Sequence, residues 1–238
     1  MILTERAVEG LHSEILSKVI SILEDKDDTI LDVGCGTGAF LERLKKAGYT
    51  SLFGVDILPP STLNSVTFLR CDLDYCKLDL KDESIKLVTS IEVFEHIENI
   101  GLLLDELYRV IIPDGLMLIT TPNLHSVESK IRLLLTGNLR QFDSKGDPTH
   151  IAPIFLYPFE RILQRHGFHI ASSWGYPRRG LSPTSRFYLK ALAGIARFIG
   201  AKDGPRGDQL CILVKKSSDI SSRKLINSKV NSLTSHYM

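Results

Sequence analysis

Seven short apolar or β-branched runs recur from residue 29 onward: Thr29–Val33, Leu52–Val55, Val66–Leu69, Lys86–Ile91, Leu116–Thr120, His169–Ser173 and Cys211–Val214. Helical patterns lie between several of them, at Phe40–Ala47, Asn99–Ile111 and Phe155–His166. Two strands can pair in parallel only through a connection long enough to cross the sheet, and that connection is usually a helix. The alternation therefore predicts an α/β fold with βαβ crossovers and a mostly parallel sheet. An amphipathic helix over Glu5–Leu23 precedes the first strand, with Leu11, Ile15, Val19 and Ile22 on one face. Pro59-Pro60 prevents an ordinary helix between the second and third strands.

Composition narrows the class further. Of 238 residues, 43% are hydrophobic and 24% charged, which excludes a wholly disordered or fibrous chain. The net charge of +1 gives no whole-chain signal for nucleic acid. No apolar run reaches about 18 residues and Met1–Gly10 is too polar for a signal peptide, so a cytoplasmic protein is expected. Cys35, Cys71, Cys76 and Cys211 form no C-x-x-C pair, and reduced thiols are the plain expectation. The stretches 122–153 and 176–207 exceed a bare α/β alternation, and connections this long usually carry function or disorder. Residues 217–238 hold seven serines and few large apolar residues, so a disordered tail is expected there. The domain would then be 1–216, with the two long insertions forming a lid on the acceptor side.

The most informative stretch runs Thr29-Ile-Leu-Asp-Val-Gly-Cys-Gly-Thr-Gly38, a strand entering a glycine turn and then a helix. Such glycines let a ligand approach the backbone closely. The spacing is G-x-G-x-G, not the dinucleotide G-x-G-x-x-G. Asp32, two residues before Gly34, would repel a pyrophosphate but suits a ligand bearing an ammonium group. An amino-acid-bearing nucleoside is favoured over a dinucleotide. Asp56 ends the second strand, where a carboxylate can accept from both ribose hydroxyls. Asp72 follows the third, placed to accept from an adenine amino group, with Ile57 and Leu73 able to sandwich the ring. Strand-end aspartates also cap turns, but three at one sheet edge are harder to assign to capping alone.

Asp32-Val-Gly-Cys-Gly-Thr-Gly38, Gly54-Val-Asp56-Ile, Cys71-Asp72-Leu and Ile112-Pro-Asp-Gly-Leu116 resemble the ordered motifs of class I S-adenosylmethionine-dependent methyltransferases. The resemblance spans about Glu5 to Lys216. It implies a Rossmann-like seven-stranded sheet with helices on both faces, its last strand, Gln209–Lys215, antiparallel. It also implies that Asp32 with Gly34, Gly36 and Gly38 holds the methionine part of S-adenosylmethionine, Asp56 the ribose and Asp72 the adenine. Ser90 and Ile91 would line the methyl-bearing side. Nucleic-acid amino-methylating members carry [Asn/Asp/Ser]-Pro-Pro-aromatic after strand four. Thr89-Ser-Ile-Glu-Val-Phe-Glu-His96 stands here instead, which argues against DNA adenine or cytosine amino methylation.

Methyl transfer from a sulfonium needs alignment of the nucleophile and, for a hydroxyl, removal of its proton. His96, just past strand four, and His150, in Gly146-Asp-Pro-Thr-His150, are the candidate bases; the plain alternative for each is a surface or capping histidine. Glu92, Glu95 and His96 at i, i+3 and i+4 would share one helical face able to hold a divalent cation, with His150 as a fourth ligand. That E-x-x-E-H pattern resembles ubiquinone-pathway O-methyltransferases and small-RNA 2′-O-methyltransferases, though the RNA enzymes have a paired downstream histidine where only His150 stands here. Thr121-Pro-Asn123 follows the fifth strand, where Asn123 could bind substrate or cap the next helix. Thr-Pro-Asn, Asp-Pro-Thr-His and His166-Gly-Phe168, each followed or preceded by a helix, look like a subgroup common among bacterial small-molecule and glycan methyltransferases.

The segment Tyr176–Lys216 holds nine lysines and arginines against two acids. Over 184–199, Arg186, Lys190 and Arg197 fall on one helical stripe and Tyr188, Leu192, Ile195 and Ile199 on the opposite side. The readings open at this point are a lid helix packed on the domain, a peripheral contact with an anionic membrane, and RNA binding. The expected activity is methyl transfer to an oxygen, less readily a nitrogen, of a small molecule or of a glycan or lipid precursor. The alternatives are a metal-dependent RNA 2′-O-methyltransferase and a non-catalytic cofactor-binding module.

Overall fold

The computed structural model describes residues 7–59, 66–75, 77–144, 146–177, 187–198 and 204–217. Seven strands form one sheet: β1 (Ile30–Val33), β2 (Leu52–Asp56), β3 (Thr67–Arg70), β4 (Ile85–Ile91), β5 (Ile111–Pro122), β6 (Phe168–Tyr176) and β7 (Gln209–Lys216). Their order is β3-β2-β1-β4-β5-β7-β6. The first five pair in parallel, and β7 runs antiparallel to both β5 and β6, as expected for the last strand.

Among the described residues six α-helices accompany the sheet: α1 (Leu11–Ile22), α2 (Ala39–Lys46), α3 (Ile100–Val110), α4 (Val127–Thr136), α5 (Leu156–Arg165) and α6 (Phe187–Phe198). Side-chain alternation along each strand feeds two separate cores. Leu210, Ile212 and Val214 of β7 join Leu103, Leu104 and Leu107 of α3 and Phe159 and Leu163 of α5. Cys211 and Leu213, on the other face, join Leu11, Ile15 and Val19 of α1 and Leu41 and Leu44 of α2. Truncating any one of these leucines to alanine removes apolar burial and leaves a cavity, a loss of about 2–5 kcal/mol.

Several boundaries differ from expectation for local reasons. α1 begins at Leu11 because Gly10 sits at φ +79 and breaks the helical path. The Tyr176 hydroxyl donates to the Glu9 carbonyl (3.0 Å) and Trp174 Nε1 donates to Glu14 (3.1 Å), so α1 is tied to β6. β5 starts five residues early because Ile111 already pairs with Ile85; the chain then turns through Asp114, at φ +58, before rejoining β4 at Leu116. Residues 57–59 leave β2 without helix, and residues 60–65, with Pro60, lie outside the described residues. So does 218–238, where a disordered tail is expected. Cys71 is disulfide-bonded, against the expectation of reduced thiols, and Cys76 lies outside the described residues; Cys35 and Cys211 are free and buried. Among the described residues no helix is long and apolar enough to cross a membrane.

Candidate active site

A cavity of about 740 Å³ opens at the carboxyl edge of β1, β2 and β4, floored by the glycine turn and lined on one side by Gln141, Gly146, Asp147, Thr149 and His150. Parallel strands leave this edge free for a ligand because every crossover helix begins there.

The glycine turn is held by the sheet itself. The backbone N–H groups of Gly34 and Cys35 both donate to the Val55 carbonyl (2.8 and 3.0 Å), and that of Gly36 donates to Asp56 Oδ2 (2.8 Å). Gly34, at φ +69, has no room for a side chain, since a Cβ would meet Val93 Cγ2 at 2.5 Å. At Gly36 the opposite holds: no protein atom lies within 4 Å of where a Cβ would stand, so the backbone faces open cavity. Gly38 is the residue before α2 and closes the turn through its N–H to the Cys35 carbonyl (2.8 Å); it does not line the cavity.

The three aspartates converge as expected. Asp32 is buried, accepts from the Thr89 hydroxyl at 2.7 Å, and has its pKa raised to about 7 by burial, with the charge of Asp56 adding to it. A carboxyl in that state is one that a cationic ligand would stabilise. Burial and the charges of Asp32 and Asp56 also push the Cys35 thiol up, so it stays protonated and unreactive. Asp56 and Asp72 both line the cavity, and Asp72 Oδ1 accepts from the Asp74 N–H (3.1 Å), which sets its carboxylate. Ile57 and Leu73 line it too. Ser90 does not: it is fully buried between its partners Val33 and Ile119, and Ile91, one residue on, takes the lining position. The period of two along β4 decides which of the neighbours faces the ligand.

Beyond β4 the expected α-helical face of Glu92, Glu95 and His96 is absent. Glu92 sits at φ +57, and only Phe94–His96 form a single 3₁₀ turn. Glu92 consequently turns toward β5, where the Thr120 hydroxyl donates to it at 2.8 Å, and burial raises its pKa to about 7. The cluster that does form is Glu95, His96 and His150, each offering a ligand atom within 4.8 Å of the others. Glu95 is fully buried, and burial with the nearby Glu92 holds its pKa well above the usual range, outweighing the hydrogen bond from the Thr121 side chain. The Glu95 carbonyl accepts from the N–H groups of both Ile151 and Ala152 (2.9 Å each), a clamp that brings the insertion onto the 3₁₀ turn. The rings of His96 and His150 thereby meet edge to face at 4.7 Å.

The two imidazoles are oriented alike. His96 Nδ1 lies 3.0 Å from the Thr149 carbonyl, and His150 Nδ1 lies 2.9 Å from the Gln141 carbonyl. A carbonyl only accepts, so each neutral ring carries its proton on Nδ1 and keeps a lone pair on Nε2. Burial lowers the His96 pKa, with charge on His150 adding to it, which keeps His96 neutral. Thr149 also bonds Asp147 (2.6 Å) and so ties the loop's own acid to this pair.

One expectation is redirected. Asn123 neither lines the cavity nor caps α4: its amide donates to the Pro205 and Gly207 carbonyls (2.6 and 3.0 Å), while Ser126 caps the helix. On α6, which touches α4, Leu192 and Ile195 are exposed. Residues 184–186 and 199 of the basic stretch lie outside the described residues. Sequence reasoning missed His12 of α1, Gln141 and Gln209, all of which line the cavity. Gln209 is 2% exposed and its amide oxygen has no partner among the described residues. Nothing local marks His12 or Gln209, because both arrive from elements far away in the chain.

A family model described as a methyltransferase domain matches residues 6–173. A ubiquinone biosynthesis O-methyltransferase of Neisseria meningitidis is 27% identical over 168 residues, 65% of this chain and 69% of that protein. Among solved structures, an S-adenosylmethionine-dependent methyltransferase from Archaeoglobus fulgidus superposes with a TM-score of 0.57 at 22% identity, covering 86% of this chain and 94% of the other. Phosphoethanolamine N-methyltransferase 2 of Haemonchus contortus, in complex with S-adenosylmethionine, superposes with a TM-score of 0.59 at 16% identity, covering 89% and 54%.

Proposed function

The chain belongs to the methyltransferase domain family, and as an S-adenosylmethionine-dependent member of it we propose that it methylates an oxygen of a small molecule or of a glycan- or lipid-linked precursor. The observation that carries this is the pair of Nε2 lone pairs, on His96 and His150, held at the rim of the same cavity as the glycine turn. A hydroxyl acceptor must lose its proton as it attacks, whereas a neutral amine already has its lone pair. The 27% identity to a ubiquinone biosynthesis O-methyltransferase supports oxygen as well.

The residues present suit S-adenosylmethionine. The desolvated Asp32 carboxyl gains an ionic partner from an ammonium group, and the open face of Gly36 leaves room for close approach. Asp56, its Oδ2 already set by the Gly36 N–H, is positioned for the ribose hydroxyls, and Asp72 with Ile57 and Leu73 for the adenine. When bound, the cofactor supplies an electrophilic methyl carbon on a sulfonium. His96 or His150 then takes the acceptor proton at Nε2, and the loop 141–150 excludes water from the rim. Gln209, with its unpartnered amide oxygen, is suited to accept a hydrogen bond from the acceptor.

A second reading, with a divalent cation, is favoured by one observation: the buried Glu95 carboxyl lies beside two imidazoles whose Nδ1 atoms are held by carbonyls, the three ligand atoms within 4.8 Å of one another. In it Glu95, His96 and His150 hold the ion and the ion lowers the acceptor's pKa. Dialysis against a chelator separates the two readings. Turnover that survives assigns proton removal to histidine, and turnover restored only by added Mg²⁺, Mn²⁺ or Zn²⁺ assigns it to the ion.

The primary test is transfer of labelled methyl from S-adenosylmethionine into a host-cell extract, followed by separation of lipid, nucleic-acid, protein and small-molecule fractions. Label in the lipid or small-molecule fraction, released as a methyl ether or ester, supports the reading. Label confined to RNA or protein, or none despite cofactor binding, overturns it.

A further inference from the structure

Successive threonines of β5 point to opposite faces of the sheet, and each holds one of the two glutamates that follow β4. The Thr121 side chain bonds Glu95, which gathers with His96 and His150. Thr120 shares a face with Leu118 and, across on β7, with Cys211, both packed in the core under α1. Its hydroxyl donates to Glu92 Oε1 (2.8 Å), and the Glu92 N–H donates back to Thr120 Oγ1 and to the Thr120 carbonyl (3.1 Å each). A non-glycine residue at φ +57 persists only where its surroundings over-determine it, and these three bonds do so. They fix Glu92 on the wall of the cavity with Oε1 taken and Oε2 left for a ligand.

Gln209 reaches the same face from β7. It lies two residues before Cys211 and pairs with Pro122 on one side and Tyr176 on the other. It is 2% exposed, lines the cavity, and its Oε1 has no partner among the described residues. A buried acceptor of this kind is costly unless a ligand brings it a donor. In the cofactor reading above, adenine, ribose and methionine take the ends of β3, β2 and β1, which are neighbours at one end of the sheet. β4, β5 and β7 follow beyond β1, so Gln209 stands three strand spacings from Asp32, about 14 Å, away from the ribose and adenine. A molecule that touches both Glu92 and Gln209 therefore occupies the acceptor's side of the cavity.

We propose that Glu92 and Gln209 form a specificity subsite for a second hydroxyl group of the acceptor, distinct from the hydroxyl that loses its proton to His96 or His150. That second hydroxyl donates to Gln209 Oε1 or Glu92 Oε2, which satisfies a buried group that is otherwise unpaired. A site built around a substrate hydroxyl rejects an analogue lacking it far more strongly than an apolar pocket rejects an extra methylene. The acceptor class is then a compound with two or more hydroxyls, on a sugar-like ring or on an aromatic one, and a simple mono-alcohol is refused. The proposal deepens the oxygen-methylation reading above and takes its catalytic meaning from it.

The test is ligand-observed saturation-transfer NMR on the full chain loaded with S-adenosylhomocysteine. Two sets of probes differ in hydroxyl count: methyl glucoside against cyclohexanol, and catechol and resorcinol against phenol. A polyhydroxy probe is expected to give a signal that its mono-hydroxy counterpart lacks, and the set it belongs to tells a sugar-like acceptor from an aromatic one. The variants Q209L and E92Q are each expected to cut that signal at least about ten-fold while binding S-adenosylhomocysteine as tightly as the wild type. Q209L also removes a buried acceptor that has no partner, so its urea midpoint is expected to stay at or above that of the wild type. Mono-hydroxy probes that bind as well as the others, or no signal from any probe, overturn the proposal. So does a polyhydroxy signal that survives both variants, or a Q209L protein whose midpoint falls while the signal persists, which makes Gln209 structural. Probe binding needs no turnover. A wild type that separates the probes but labels no fraction of the extract retires methyl transfer and keeps the subsite, and the opposite result keeps methyl transfer alone.

Discussion

Asp32 and Asp56 lie at the same sheet edge, yet their surroundings assign them different physics. Asp56 accepts from the Gly36 N–H and lines the cavity, where we propose that it takes the ribose hydroxyls. Asp56→Ala is expected to weaken S-adenosylmethionine binding by about 1–3 kcal/mol, read by titration calorimetry; unchanged affinity removes the ribose assignment. Asp32 is a linked site. Its folded pKa of about 7 stands above the ordinary 3.8, so the native state holds a proton that the unfolded chain has released. The stability it contributes is full below about pH 4 and is lost as pH rises through about 7. Asp32→Asn should therefore stabilise the ligand-free protein at pH 8, by about 1–3 kcal/mol in chemical denaturation, while weakening cofactor binding. The wild type, near pH 7, should release a proton when the cofactor binds, seen as a buffer-dependent heat that the variant lacks. His150→Ala should lower turnover at least about ten-fold with cofactor affinity unchanged. Equal turnover would return His150 to a structural role against Phe142 and His96.

Among the elements, the insertion after β5 matters most, because it brings Gln141 and His150 onto the cavity that the glycine turn floors. Two clamps hold it. The Glu95 carbonyl takes the N–H groups of Ile151 and Ala152, and Arg140 pairs with buried Asp208 at 2.7 Å where β7 begins. Asn123, at the exit of β5, bonds the carbonyls of Pro205 and Gly207 and accepts from the His125 N–H (2.9 Å), tying the first insertion to the end of the second. Asn123→Ala removes the donor to the buried Gly207 carbonyl and the half-buried Pro205 carbonyl and is expected to cost about 1–3 kcal/mol in urea denaturation. It should lower turnover more than cofactor binding, because the cradle on β1 and β2 is remote from it. The Thr-Pro-Asn motif was visible in the sequence, but its partners lie more than eighty positions away, so only its existence could be read and not its use. The Glu92–His96 segment shows the reverse case. Its i, i+3, i+4 spacing suggested a helix, and the positive φ at Glu92 overrides that local pattern so that Thr120 can be bonded.

For the whole molecule, the alternating runs were enough to predict a mostly parallel sheet, since hydrophobic period and crossover length leave few other arrangements, whereas the reversed last strand came from the resemblance to class I methyltransferases. Ser217 closes the domain through its N–H to the Gly167 carbonyl (2.8 Å). A chain ending at Ser217 is accordingly expected to keep its melting temperature within a few degrees, about the effect of 1 kcal/mol, and to keep its cofactor affinity. A loss larger than that in calorimetry would make residues 218–238 part of the folded domain. The sequence by itself determined the strand order's raw material, the cofactor cradle and its three aspartates, because each of these depends on residues adjacent along the chain at a strand end. Tertiary structure alone decided the rest of the cavity lining: that Ile91 and not Ser90 lines it, that Glu95 meets His96 and His150 while Glu92, also on the lining, is bonded by Thr120, and that His12 and Gln209 join them. These residues meet only after the sheet has formed, through contacts between positions that no local period relates.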